Sequence, residues 1–163
     1  MRIIVIEDNE LYKNELLQCL EQEESDIEIV GSASNGAEGL ALTEKLIRDN
    51  LTPDVIFTDV RMPEVDGFEM IEALQKRGIS CKIVVTSSCP EFLYAKRAME
   101  LGAVDFLVKP LKVYEVRNVL GRLRRELESE KKWKHILNLE YIFLNAMAGK
   151  IKDDQQIGDL IKE

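Results

Sequence analysis

Short apolar runs and longer amphipathic stretches alternate along the first 110 residues. The apolar runs predict five strands, at about residues 2–7, 27–31, 55–59, 81–86 and 104–108. Between them, apolar residues recur at helical spacing over about 10–22, 37–50, 68–76 and 90–102. The second strand alternates apolar and polar residues, which is typical of an edge position. This order of elements predicts an α/β fold, a doubly wound five-stranded parallel sheet with helices on both faces.

Polar side chains stand at the carboxyl ends of these predicted strands. Glu7 and Asp8 follow the first strand, Asp59 ends the third, Thr86 ends the fourth and Lys109 follows the fifth. Taken alone, Asp59 is explained as a cap for the turn that follows its strand. Because the carboxyl ends of a doubly wound sheet meet at one crevice, where ligands bind, the five residues together predict a functional site.

The chemistry of these side chains favours a metal and a phosphoryl group. Three neighbouring carboxylates repel each other unless a cation lies among them. Oxygen ligands without His or Cys select a hard ion, so Glu7, Asp8 and Asp59 predict a site for Mg²⁺ or Mn²⁺. The Thr86 hydroxyl and the Lys109 ammonium would complement a phosphoryl group. Asp59, central among the strand ends, is the predicted nucleophile that carries it.

Composition and charge narrow the classes of partner. With 45% hydrophobic and 32% charged residues, the 163-residue chain has the composition of a soluble globular protein, and no apolar run approaches the ~20 residues of a membrane span. We expect a cytoplasmic protein without a membrane partner. Residues 1–123 carry 14 basic and 22 acidic residues, 14 − 22 = −8, and residues 124–163 carry 8 of each. This acidic body would repel nucleic acid, so DNA contact is expected only through a domain absent from this chain.

Taken in order, these motifs resemble the receiver domain of two-component response regulators. The resemblance covers about residues 1–122 and rests on Glu7-Asp8, Asp59-Val60-Arg61-Met62-Pro63-Glu64-Val65-Asp66-Gly67, Thr86-Ser87 and Phe106-Leu107-Val108-Lys109-Pro110. It implies a flavodoxin-like sheet of strand order 2-1-3-4-5, with Asp59 phosphorylated by a sensor histidine kinase. It also implies that Asp8, Asp59 and the backbone carbonyl of Arg61 bind Mg²⁺, with Glu7 acting largely through water.

The same resemblance assigns the remaining site residues. Thr86 and Lys109 would hold the phosphoryl oxygens, and Pro110 would follow a cis peptide bond. Thr86 and Phe106 would form a switch that remodels the surface of the fourth helix, fifth strand and fifth helix, although burial alone also explains a Phe at this position. Two residues depart from the family pattern. Glu7 stands where Asp is commoner, which would alter metal affinity, and Phe106 stands where Tyr is frequent, so no ring hydroxyl is available.

Beyond the receiver, the apolar pattern continues as an extended C-terminal helix from about Lys112 to Ala148. Val116, Leu120, Leu123 and Leu127 keep a 4-3-4 spacing, charged residues take the next two positions, and Leu137, Tyr141 and Leu144 resume it. The pattern fits one long helix, or two with a joint near 129–132. We predict a receiver at 1–122, a helical stalk with coiled-coil spacing at 123–149, and the start of a downstream region or a disordered tail at 150–163. A helix that folds back on its own receiver is the alternative to a dimerising stalk.

The predicted function is a signalling phosphoacceptor, not an enzyme with a separate substrate. Its partners would be a histidine kinase and a second copy, bound through the face of the fourth helix, fifth strand and fifth helix or through the C-terminal helix. The segments 35–39 and 90–96 resemble regulators with an AraC-type DNA-binding domain, which implies the N-terminal part of a transcriptional regulator. A complete receiver-plus-helix signalling protein is the other reading.

Two other functions compete with this one. The first is a phosphohydrolase of the haloacid-dehalogenase type, which is disfavoured because Arg61 stands where that class has its second Asp. The second is a pseudo-receiver that binds partners without being phosphorylated.

Overall fold

A computed structural model of the chain describes residues 1–22 and 27–147. Its sheet has five parallel strands in the order β2-β1-β3-β4-β5, which confirms the predicted class and strand order. The strands are β1 (Arg2–Ile6), β2 (Glu28–Ala33), β3 (Val55–Asp59), β4 (Lys82–Ser87) and β5 (Asp105–Val108). The helices are α1 (Glu10–Glu21), α2 (Gly36–Arg48), α3 (Gly67–Lys76), α4 (Phe92–Glu100) and α5 (Val113–Met147).

The centre of the sheet is buried, as its apolar runs predict. Every residue of β3 is buried, and so are four of the five residues of β1. β2 is partly exposed along most of its length because it lies at the edge of the sheet. Its ladder with β1 continues to the pair Ile6 and Ala33, so β2 extends two residues beyond the predicted end at Gly31. The most buried strands therefore lead to the edge at which Asp59 lies.

Side-chain caps start three of the helices close to the carboxyl ends of the strands. The side chain of Asn9 accepts hydrogen bonds from the backbone N–H groups of Leu11 and Tyr12, and Asn35 accepts one from Glu38. Asp66 and Glu69 cap α3 reciprocally. Each cap satisfies backbone donors that the first turn leaves without a partner. α4 begins at Phe92, two residues after its predicted start at Pro90, and it has no side-chain cap.

The chain forms two compact units, Met1–Gly121 and a second that begins at Arg122 and is described through Met147. α5 runs without interruption for 35 residues, so the joint considered near 129–132 is absent. The predicted end of the helix near Ala148 and the tail at 150–163 lie outside the described residues. Within the described part of the chain, none of the helices has the length and apolarity that a membrane crossing requires.

Candidate functional site

Three carboxylates converge where β1 and β3 end. One oxygen each from Glu7, Asp8 and Asp59 lies within 4.8 Å of the others, with Glu7 and Asp59 buried and Asp8 exposed. They line a cavity of about 170 Å³ whose other lining residues are Asn9, Tyr12, Arg61 and Ser88. All the carboxylate donors are hard oxygens, so this set fits Mg²⁺ or Mn²⁺. The structure therefore brings together the three acidic side chains that the sequence singled out.

Asp59 is held by donors on both of its carboxylate oxygens. Its Oδ1 accepts hydrogen bonds from the backbone N–H of Val60 at 2.5 Å and of Arg61 at 3.4 Å. Its Oδ2 accepts one from Lys109 Nζ at 2.6 Å. The side chain is 10% exposed and faces the cavity. A nucleophile needs this combination of fixed orientation and a remaining path to its partner.

Lys109 carries the positive charge of the site. Its side chain is 1% exposed, and Nζ donates to Glu7 Oε2 at 2.5 Å as well as to Asp59. The ring of Tyr12 lies against the same ammonium, with its centroid 4.5 Å from Nζ. The residue follows β5, where its backbone N–H bonds to Ser87, and the expected cis peptide to Pro110 is confirmed. A buried ammonium between two carboxylates lowers the cost of burying all three charges.

Glu7 experiences opposing electrostatic effects. Burial raises the pKa of its carboxyl above the usual value of 4.5, and the nearby charge of Asp59 raises it further. The hydrogen bond and charge of Lys109 lower the pKa, but the net direction is upward. A cation bound among the carboxylates would favour the ionised form, so metal binding and protonation compete at this residue.

Thr86 and Phe106 lie on neighbouring strands beside the site. Thr86 pairs with Asp59 in the ladder between β3 and β4, and its buried hydroxyl donates to the Thr58 carbonyl at 3.4 Å. Phe106, on β5, pairs with Val85 of β4. Its side chain is half-buried and packs against the core. It also lines a separate cavity of about 270 Å³ that includes Lys109 and Pro110. The predicted switch residues are thus close to the site, while their roles stay predictions.

The loop after Asp59 requires a glycine where α3 begins. A Cβ on Gly67 would lie 2.0 Å from the backbone carbonyl oxygen of Asp59, far inside contact distance. The Gly67 N–H donates to the Val60 carbonyl at 2.9 Å, which ties the start of α3 to the residue after the carboxylate. The Asp66-Gly67 pair therefore caps the helix and admits the close approach that fixes the backbone of Asp59.

The structure adds two residues from the start of α1 that the sequence did not single out. Asn9 and Tyr12 come from the cap and first turn of α1, and both line the acidic cavity. Their position in the sequence could have identified them as cavity residues. A helix that begins two residues after Asp8 must place its first turn beside the end of β1. Arg61 also lines the cavity, and metal binding by its backbone carbonyl stays a prediction.

Comparisons with known proteins agree with this geometry. The family model described as response regulator receiver domain matches residues 3–120. The transcriptional regulatory protein BtsR of Escherichia coli is 36% identical over 126 residues, which cover 77% of this chain and 49% of BtsR. An uncharacterized transcriptional regulatory protein, YesN of Bacillus subtilis, is 29% identical over 139 residues, or 83% of this chain and 36% of YesN.

A solved structure shows the same fold. The response regulatory domain of protein mrkE from Klebsiella pneumoniae superposes with a TM-score of 0.67 at 30% identity, covering 79% of this chain and 99% of that domain. The chain spans about half the length of the BtsR proteins that it matches. The family match extends over most of the chain and includes all five strands, except for the first residue of β1, and every residue of the acidic site. The chain therefore belongs to the family of response regulator receiver domains.

Proposed function

We propose that this chain is a phosphoacceptor switch in which a sensor histidine kinase phosphorylates Asp59. The observation that carries the proposal is the buried Lys109 ammonium, which lies 2.6 Å from Asp59 Oδ2 and bonds to two of the three carboxylates that line the acidic cavity. A nucleophilic carboxylate, a fixed cation beside it and oxygen ligands for a divalent metal are the parts that phosphoryl transfer needs.

The acidic cluster is the proposed metal site. Glu7, Asp8 and Asp59 would hold Mg²⁺ or Mn²⁺ together with the backbone carbonyl of Arg61. When bound, the cation supplies positive charge that offsets the charge of the transferred phosphoryl group. Asp8 is the exposed member of the cluster, so it offers the metal its least hindered ligand. Glu7 already accepts a hydrogen bond from Lys109 with one oxygen, so we expect it to contribute to the metal site less directly.

Phosphoryl transfer follows from the position of Asp59. One of its carboxylate oxygens forms the bond to phosphorus while the P–N bond of the kinase phosphohistidine breaks and the electron pair returns to the imidazole. Lys109 exchanges its bond to Asp59 Oδ2 for a bond to a phosphoryl oxygen. The N–H groups of Val60 and Arg61 keep the carboxylate oriented during the change. Water that enters between Arg61 and Ser88 would later hydrolyse the acyl phosphate.

The signal would leave the site through Thr86 and Phe106. The Thr86 hydroxyl makes a long bond of 3.4 Å to the Thr58 carbonyl, so a phosphoryl oxygen offers it a stronger acceptor. Movement of Thr86 would free space next to the half-buried ring of Phe106 on β5. Because Phe106 has no hydroxyl, the coupling would be steric, and it would change the surface formed by α4, β5 and α5.

We further propose that this receiver controls an output domain absent from this chain. BtsR and YesN are named as transcriptional regulatory proteins, which supports DNA binding by that domain, and the sequence segments noted above favour the AraC type. The chain itself would act in the cytoplasm as a homodimer and catalyse only its own phosphorylation and dephosphorylation. The alternative is a phosphorylation-independent pseudo-receiver, which acts as an interaction module.

The test is the intact mass of the protein after incubation with phosphoramidate or acetyl phosphate. We expect one phosphoryl adduct that requires Mg²⁺ and is absent from the Asp59→Asn variant. Asp54→Asn is a matched control, because Asp54 lies just before β3 at the opposite end of that strand and bonds to the Arg2 backbone. A wild-type protein that takes no phosphoryl group under any of these conditions would refute the switch and favour the pseudo-receiver.

A further inference from the structure

We propose that Tyr12 is a positioning residue whose ring holds the Lys109 ammonium between Glu7 and Asp59. The ring centroid lies 4.5 Å from Nζ, within the range in which the negative face of an aromatic ring attracts a cation. The consequence for phosphoryl transfer rests on the phosphoacceptor function proposed above. The geometric claim, that the ring fixes the ammonium, does not depend on it.

The surroundings of Nζ explain why the ring matters. An ammonium has three N–H donors, and two of them are directed at Glu7 Oε2 and Asp59 Oδ2. The Tyr12 ring covers a further side of the same ammonium. The lysine side chain is only 1% exposed, so little water can replace either kind of contact. A desolvated ammonium gains more from an aromatic face than one in water does.

The first turn of α1 fixes the place of the ring. Asn9 caps the helix and accepts the Tyr12 backbone N–H at 3.4 Å, while the Asn9 N–H donates to Glu7 Oε1 at 3.2 Å. Glu7, Asn9 and Tyr12 are therefore linked by hydrogen bonds from backbone N–H groups to side-chain oxygens on one side of the cavity. Tyr12 is half-buried and lines that cavity. Its ring approaches Lys109 from α1, whereas the two carboxylates come from the ends of β1 and β3.

This arrangement suits a lysine that must change partners. When Asp59 becomes phosphorylated, Nζ gives up one carboxylate oxygen and takes a phosphoryl oxygen. The attraction of the ring does not depend on which oxygen Nζ contacts, so it persists through the exchange. Without the ring, the flexible four-carbon side chain could follow Glu7 away from Asp59. Tyr12 thus prepares the charge of the site before the phosphoryl group arrives, which is the main way that fixed charges accelerate such reactions.

The experiment compares Tyr12→Phe, which keeps the ring, with Tyr12→Leu, which keeps an apolar side chain without a π face. The rate of Asp59 phosphorylation by phosphoramidate in Mg²⁺ is followed by intact mass. We expect Tyr12→Phe to stay near wild type and Tyr12→Leu to slow the reaction by roughly three- to tenfold. Incorporation of phenylalanines with increasing ring fluorination at position 12 weakens the π face at nearly constant shape, and it should slow the reaction stepwise. Leu11→Ala is the control. Leu11 directly precedes Tyr12 in α1 and is 73% exposed, so this substitution should not change the rate.

A second readout reports the contact itself. In the metal-free wild-type protein, the ring current of Tyr12 should shift the proton resonances of the Lys109 ε-methylene group upfield. Tyr12→Phe should retain this shift and Tyr12→Leu should abolish it. This result would support the positioning claim even if the wild-type protein took no phosphoryl group, in which case only the proposed function would fail. Equal rates for the Phe and Leu variants of a phosphorylatable protein, or no ring-current shift in the wild type, would overturn the inference.

Discussion

Glu7 is the residue at which stability and function oppose each other most directly. Its carboxyl is buried beside Asp59, and its pKa is raised chiefly because burial disfavours the charged form. The Lys109 ammonium compensates part of that cost through a 2.5 Å hydrogen bond. A bound divalent cation would compensate more. The metal-free site is therefore held together by the same lysine that, under the proposed function, would move to a phosphoryl oxygen.

Without metal, Glu7 should make the protein less stable as the pH rises. A carboxyl with a raised pKa in the folded state binds its proton more tightly there than in the unfolded chain. Its contribution to the free energy of unfolding is therefore greatest below the unfolded value of 4.5 and is lost as the pH rises through the folded pKa. Urea unfolding in EDTA from pH 4.5 to 7 tests this, with Glu7→Gln as the reference. Wild type should lose stability relative to the variant as the pH rises, and a relative gain would contradict the prediction.

Divalent metal should reverse this trend. Binding to the folded state alone stabilises it by about 2.7 kcal/mol at a metal concentration one hundred times the Kd. Protons compete for the same carboxylates, so the stabilisation by Mg²⁺ should be larger at pH 7 than at pH 5. Thermal unfolding with and without Mg²⁺ at the two pH values measures it. Asp8→Asn should remove most of the effect, whereas Asp66→Asn, which retains a side-chain oxygen to cap α3, should leave it intact. Equal stabilisation of both variants would place the metal elsewhere.

At the scale of the elements, two helical glycines should respond to alanine in opposite directions. A Cβ on Gly121, within α5, would meet nothing within 4 Å, so Gly121→Ala should raise the free energy of unfolding by about 0.5–1 kcal/mol. A Cβ on Gly39, within α2, would lie 2.5 Å from Ile6 Cδ1 and 2.9 Å from Met70 Sδ. Gly39→Ala should therefore destabilise the protein by about 1–3 kcal/mol. Urea unfolding measures the change in the free energy of unfolding for both variants. Changes of the same sign would contradict the packing around these two glycines.

The elements also show which features the sequence alone can predict. β3 was predictable because its run of apolar residues ends at a charged one, and the structure buries all five residues. The exposed side of α4 was less predictable. Phe92 and Leu93 sit in a helical apolar pattern, yet they are 77% and 71% exposed, and Ala98 is the buried residue of the helix. Apolar spacing predicts a helix, but it does not distinguish a face packed on the core from one left for a partner.

The residues of the site also differ in whether the sequence alone can predict their contacts. Glu7, Asp59 and Lys109 could be placed together because parallel strands deliver their ends to one edge whatever the side-chain details. Tyr12 could not be placed with them from the sequence, because its contact with Lys109 depends on the angle at which α1 leaves the sheet and on the rotamer of the ring. The direct bond between Glu7 and Lys109 was also not foreseen. The sequence predicts that Glu7 contributes to the metal site largely through water, and this role stays a prediction. The structure adds that Glu7 shares the lysine with Asp59.

At the scale of the whole molecule, the exposed apolar side chains are unevenly distributed. Half of the large hydrophobic residues that are exposed in the described part of the chain fall between Trp133 and Met147 of α5. Trp133, Leu137, Leu144 and Met147 follow each other at intervals of four, seven and three residues, so they lie on one face of the helix. We call these four residues the α5 stripe. Exposed apolar surface of this kind is typical of an interaction site.

We predict that the α5 stripe mediates self-association of the chain. Leu137 and Leu144 occupy the coiled-coil positions expected from the sequence, and they are both 59% exposed. Trp133 is the only tryptophan of the protein and is 63% exposed, so its fluorescence reports the stripe directly. Its emission should shift to shorter wavelength as the protein concentration rises, in parallel with dimer formation measured by sedimentation equilibrium.

Paired substitutions separate the two candidate interfaces. Leu137→Glu with Leu144→Glu should give a monomer whose Trp133 emission does not depend on concentration, because like charges at seam positions repel across the interface. Phe92→Ser with Leu93→Ser alters the exposed side of α4 and should leave the dimer intact in the unphosphorylated protein. If only the α4 pair gave a monomer, the interface would lie on the surface of α4, β5 and α5. A wild-type protein that is monomeric at every concentration would refute self-association through either face. The comparison thus assigns the interface by which pair of residues the dimer requires.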